Sequence, residues 1–157
     1  MSEEPLDGID REILRRLQRD GRIQNTKLAD GVGLSPSPCL RRVRRLEEER
    51  YVQGYAARVD PTKLGWGVVS FVSLNVGRDV ARDVEGFAQA VRRMPQVISC
   101  HALAGNIDYL LEVVARDLDD YYELMMALGR IPGIKDIHSS IAIKEVKPAR
   151  GYPIPAP

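Results

Sequence analysis

The chain has 157 residues, enough for one ordinary domain or two small ones. With 44% hydrophobic and 29% charged residues it has a globular composition, and a net charge of only +1 means that any surface for a polyanion must be local rather than a global basic excess. No apolar run approaches the ~20 residues that cross a bilayer, and the acidic start carries no apolar signal segment, so a cytoplasmic protein with no membrane partner is expected.

Residues 6–20 carry Ile9, Ile13, Leu14 and Leu17, an apolar stripe at helical spacing. Asp7 can cap this helix, Asp10 sits in its first turn where the dipole favours a negative charge, and Gly21 ends it. Asn25 can cap a short second helix through Gly31, with Leu28, Ala29 and Val32 inward. Residues 33–35 are a tight turn into a third helix.

That third helix, residues 35–46, has an apolar back and an arginine front. Ser35 suits the N-cap and Pro36 the first helical position. At about 100° per residue, Cys39, Val43 and Leu46 fall within an arc of roughly 60°. Arg41, Arg44 and Arg45 fall within about 100° on the opposite side, with Ser37 beside them and Arg42 on the flank. A solvated charged face explains four arginines taken alone. It does not explain why one helix, preceded by a helix, a short helix and a glycine-containing turn, holds arginines and no acid between Ser35 and Leu46. That order is the helix-turn-helix arrangement, whose last helix enters the major groove.

Residues 51–60 alternate as an extended segment, and Pro61 and Gly65 mark a break, so residues 51–66 read as a strand plus linker. Beyond it come a strand (66–76), a helix (80–94), two strands (97–103 and 107–115), a helix (118–131) broken by Pro132 and Gly133, and a last strand (134–146). The β-α-β-β-α-β order is the ferredoxin-like split pattern, an antiparallel sheet with helices on one face. The other face is most simply buried by a second copy. The tail, residues 151–157, holds three prolines and is expected to be extended, with a neighbouring subunit as one place for it to lie.

No catalytic set emerges. His101 and His138 are far apart with no carboxylate at ligand spacing, Cys39 and Cys100 fit no metal or redox spacing, and no phosphate-binding glycine loop is present. The expectation is a protein that is not an enzyme, with no metal site and no cofactor. Gly105 and Asn106 read as a hairpin turn with Asp108 at its edge. They also allow a second reading, in which backbone amides approach a carboxylate and Asp108 pairs with an ammonium.

Several segments together resemble the leucine-responsive regulator/AsnC (Lrp/AsnC) family of bacterial and archaeal transcription factors. Residues 6–14 match its opening helix, and residues 20–23, 32–39 and 42–47 its helix-turn-helix. Residues 105–110 match the central loop of its effector domain. Residues 132–134, Ser139 with Ser140, and residues 145–147 match its last strand. The resemblance implies an α+β chain with a winged helix-turn-helix at residues 1–50 and a β linker at 51–66. A ferredoxin-like effector and oligomerisation domain at 67–150 and the tail at 151–157 complete it.

It further implies double-stranded DNA as partner, contacted by Ser35, Ser37, Pro38, Arg41, Arg42, Arg44 and Arg45. A small-molecule effector, most simply an amino acid, is implied at Gly105, Asn106, Asp108, Ser139 and Ser140, in homodimers that assemble to octamers. Many members carry an acid where this chain has Asn106, and some leucine-responding members carry bulkier residues than Ser139 and Ser140, so the effector's identity stays open. The competing readings are an architectural protein that wraps DNA without an effector, and an enzyme acting on an amino acid, which the missing nucleophile-base pair disfavours.

Overall fold

The computed structural model describes residues 5–77, 84–149 and 151–155. The chain divides into two compact units, Met1–Arg58 together with Lys147–Pro157, and Val59–Val146. Among the described residues no helix is long and apolar enough to cross a membrane.

The first unit holds three helices, α1 (Gly8–Arg19), α2 (Asn25–Gly31) and α3 (Pro36–Glu48). Asp7 starts α1 through a reciprocal capping box: its carboxylate accepts from the Asp10 N–H at 2.8 Å, and the Asp10 carboxylate accepts from the Asp7 N–H at 3.2 Å. Ile13, Leu14, Leu28, Ala29, Cys39 and Leu46 form the core, which confirms the stripes read from the sequence. Gly33 (φ +70°) closes α2 in a left-handed cap, with the Leu34 N–H reaching Ala29 O at 2.9 Å and the Gly33 N–H reaching Asp30 O at 3.3 Å.

Three details differ from expectation. Asn25 does not cap α2: Gln24 holds the N-cap position, and the Asn25 amide instead donates to Pro36 O at 2.8 Å, tying α2 to the start of α3. Residues 53–60 run without strand pairing, and no strand is assigned among the described residues of this unit, because a strand needs a neighbour to supply its ladder. The Tyr55 hydroxyl instead fastens this segment to α3 by donating to Glu47 Oε1 at 2.8 Å. The tail is extended as expected, but residues 152–155 lie on α1 of the same chain.

The second unit is β1 (Val68–Val76), α4 (Val84–Arg92), β2 (Val97–Ala102), β3 (Tyr109–Ala115), α5 (Leu118–Gly129) and β4 (Ile134–Ile141). The sheet order is β2-β3-β1-β4 with every neighbouring pair antiparallel, the split β-α-β topology read from the sequence. The part of the first predicted helix at residues 80–83 lies outside the described residues. The last strand stops at Ile141, short of the predicted 146, because Ala142 already bonds Val69 O at 2.8 Å and β1 offers little more edge to pair with.

The pleat sorts the sheet into two faces. Val72, Leu74, Leu111 and Val113 point at the helices and pack with Phe87, Val91, Leu124 and Leu128. The opposite face, uncovered within the unit, carries Phe71 at 45% exposure in a cross-strand row with Glu112 and Ser140. A neighbouring row runs His101, Leu110, Ser73, His138.

Candidate nucleic-acid interface and effector loop

Helix α3 presents its arginines in two classes. Arg41 and Arg44 are exposed and make no ion pair with any described residue; Ser35 and Ser37 at the N-terminal end are also exposed, and Pro38 is half-buried. The Ser35 hydroxyl makes no capping bond. Pro36 and Pro38 have no N–H and the Cys39 N–H is bonded to Ser35 O, so the donors at this end of the helix are the Ser37 N–H and the hydroxyls of Ser35 and Ser37, a small set that suits a phosphate oxygen. All four arginines of α3 line one open groove of about 1030 Å³ along α3 and the start of α1, with Ser37, Asp7 and Asp10.

Arg42 and Arg45 border the same groove but are paired across it to α1. Arg42 Nη1 donates to Asp7 Oδ2 at 2.7 Å and to Asp10 Oδ1 at 2.8 Å, and Arg45 Nη2 donates to Asp10 Oδ2 at 2.5 Å. The Asp10 side chain is 1% exposed, whereas those of Arg42 and Arg45 are 29% and 22% exposed. The Asp10 main-chain N–H, followed by the Arg42 guanidinium, holds the Asp7 carboxyl below its usual range against the opposing effect of burial. Burial raises the Cys39 thiol, keeping it a neutral packing group.

The two guanidinium groups that face Asp10 thus fix the angle between α1 and α3, and the other two are presented to solvent. The helical wheel places Arg45 with Arg41 and Arg44. The signal that separates it is Asp10, buried on α1 at the same height, which no local periodicity of α3 reports.

In the second unit, residues 103–108 form the loop of the β2–β3 hairpin. The Leu103 N–H donates to Asp108 O at 2.8 Å, the Asp108 N–H to Leu74 O at 3.0 Å, and Asp108 Oδ2 accepts from the Val76 N–H at 2.8 Å. Asp108 is thus a clip between the loop and the end of β1, a role not anticipated from the sequence. Gly105 and Asn106 are exposed, and a Cβ on Gly105 would meet nothing within 4 Å, so no contact of this unit requires a glycine there.

Ser139 pairs with Val72 and Ser140 with Phe71, so the two serines point to opposite faces. Asp108 reaches the end of β1 at Val76, four or five residues along that strand from the partners of Ser139 and Ser140, about 13–17 Å at strand spacing. The serines and the loop are not brought into one pocket of a single chain. Among the described residues no group of three or more His, Cys, Asp or Glu side chains is placed to hold a metal ion.

The family model "Lrp/AsnC ligand binding domain" matches residues 69–152, and the model "Winged helix-turn-helix DNA-binding" matches residues 6–53. The leucine-responsive regulatory protein of Escherichia coli K12 is 42% identical over 143 residues, spanning 90% of this chain and 87% of that protein. A transcriptional regulator of Neisseria meningitidis, solved as a complex with L-methionine, is 38% identical with a TM-score of 0.89 over 95% of this chain and 97% of that one. A feast or famine regulatory protein of Mycobacterium tuberculosis, also complexed with L-methionine, is 32% identical with a TM-score of 0.87 over 96% of this chain and 100% of that one.

Proposed function

From a chain that belongs to the Lrp/AsnC family of DNA-binding transcriptional regulators with a ligand-binding domain, we propose a sequence-specific regulator whose DNA affinity is set by an amino-acid effector. The observation that carries the DNA half is the division of α3: Arg42 and Arg45 brace the helix against Asp10, and Arg41, Arg44 and Ser37 are left for base edges and phosphates. Guanidinium forks match guanine edges, and the Ser37 N–H with the hydroxyls of Ser35 and Ser37 matches a phosphate oxygen.

The effector half is supported by the two similar proteins complexed with L-methionine and by the exposed Gly105–Asn106 turn, held in shape by Asp108. One Asp108 carboxylate oxygen is spent on Val76, and the other is the natural partner for an α-ammonium. Because Ser139 and Ser140 lie apart from this loop in one chain, a site using both sets is completed by a second copy. That fits dimers formed through the open sheet face and joined into a larger cytoplasmic assembly such as an octamer. The ligand shifts DNA affinity only by binding one arrangement of the assembly better than another.

A thermal-shift series of the twenty amino acids, run on the chain and on Asp108→Asn, tests the effector half. Asparagine keeps an oxygen for the Val76 N–H and removes the charge. The expected result is a rise in melting temperature with one or a few amino acids, L-methionine among them, lost in the variant at unchanged ligand-free stability. No shift with any amino acid at millimolar concentration rejects an amino-acid effector. Selection of binding sites from random duplexes tests the DNA half: an enriched two-fold site is expected, and uniform binding favours the architectural reading.

A further inference from the structure

The first unit is not contiguous in sequence: the chain leaves it near Arg58 and re-enters it at Lys147. On re-entry it is received by a prepared surface. Arg11, Arg15 and Gln18 share one face of α1, and each donates to a main-chain carbonyl of a single extended segment. The acceptors are Pro155 O at 3.0 Å, Ile154 O at 3.4 Å and Tyr152 O at 3.0 Å respectively. The Tyr152 N–H returns a bond to Gln18 Oε1 at 2.6 Å, closing a two-way amide clamp. Arg58 Nη1 holds Ala149 O at 2.6 Å from the other side, and Ile154 packs against the core of the three helices.

The chemistry of the two sides is matched. Pro153 and Pro155 have no N–H, so the segment offers mainly acceptors to a face made mainly of donors, and the prolines favour the extended form before docking. Residues 153–155 lie beyond both family-model matches, which end at residues 53 and 152.

We infer that residues 151–155 are a strap on α1 that sets how often the three-helix unit opens and thereby sets its DNA affinity. A unit with so small a core samples open forms readily, and a segment that docks only on the closed form suppresses them. Because the strap is the continuation of the sheet unit, it joins the two units by a second covalent path. The DNA half of the inference rests on the function proposed above; the opening half does not.

Amide hydrogen exchange on the 157-residue chain, on Ile154→Asp, on Gln18→Ala and on a chain terminated after Ala149 tests it. The expected result is at least tenfold faster exchange across α1 in Ile154→Asp and in the terminated chain, and a smaller rise in Gln18→Ala. Exchange in β3 should stay unchanged, which also certifies that each variant is folded. Binding of a random-sequence duplex at low salt should weaken at least threefold in the same two chains. Unchanged exchange in α1 overturns the strap. Faster exchange with unchanged duplex affinity overturns its link to DNA. If the unaltered chain binds no duplex at all, the DNA-binding reading fails, and the exchange data still judge the strap.

Discussion

Arg45 donates to Asp10 across the contact between the third and first helices, at 2.5 Å, and Asp10 is 1% exposed. One residue earlier, Arg44 faces solvent. Adjacent arginines on one helix therefore do different work.

Substitution separates them. Arg41→Ala and Arg44→Ala are expected to weaken binding of a selected duplex by about 1–3 kcal/mol each at unchanged melting temperature. Arg45→Ala leaves a buried carboxylate short of a partner and is expected to cost the three-helix unit on the order of 3 kcal/mol. Fluorescence anisotropy with labelled duplex and thermal unfolding, read on the same samples, check the split.

Two left-handed residues give opposite expectations. Gly33→Ala should destabilise the turn between α2 and α3 by about 1 kcal/mol, since φ there is +70°. Arg50, which follows α3 with φ +64°, already carries that penalty, and Arg50→Gly should recover up to about 1 kcal/mol. Chemical denaturation of the two variants reports both signs.

The pH limits of the first unit follow from two groups. Asp7 is held below its ordinary 3.8, so its contribution is complete above that value and is lost as pH falls through the lower folded value. Its side chain is half-exposed, which keeps the effect modest. Asp7→Asn should flatten the acid limb of the melting-temperature profile. Tyr55 is half-exposed, and the partial burial of its hydroxyl together with its bond to Glu47 pushes it up to about 12, so a modest contribution is present below pH 10 and is lost between 10 and 12. Tyr55→Phe should remove one component of the absorbance titration from that upper range.

The open sheet face offers a sharp test of assembly. Phe71→Asp sets a charge at the middle of that face, next to Glu112. If two such faces meet, light scattering should give a smaller species with dissociation at least tenfold easier; an unchanged mass places the dimer contact elsewhere.

Much of this architecture is legible in local sequence because its causes are local. Asp7 and Asp10 are three residues apart and make their capping box within one turn. The β-branched and aromatic content that marks β1 lies within its own nine residues. What escapes is what long-range geometry decides. Asn25 looks like a cap, but the chain brings Pro36 O within its reach. Arg45 looks like part of the outward face until Asp10, 35 positions away, is placed beside it. Residues 51–60 alternate like a strand, yet alternation supplies no partner. Asp108 reads as a free carboxylate until the end of β1 offers it the Val76 N–H.

The order of synthesis adds a consequence. Helices α1 to α3 emerge from the ribosome before the sheet unit, yet the segment that braces α1 follows it. The three helices are made before the sheet unit but completed after it. On the strap proposed above, a nascent or prematurely terminated chain carries α3 without the brace, and firm DNA binding waits until the sheet unit has been built.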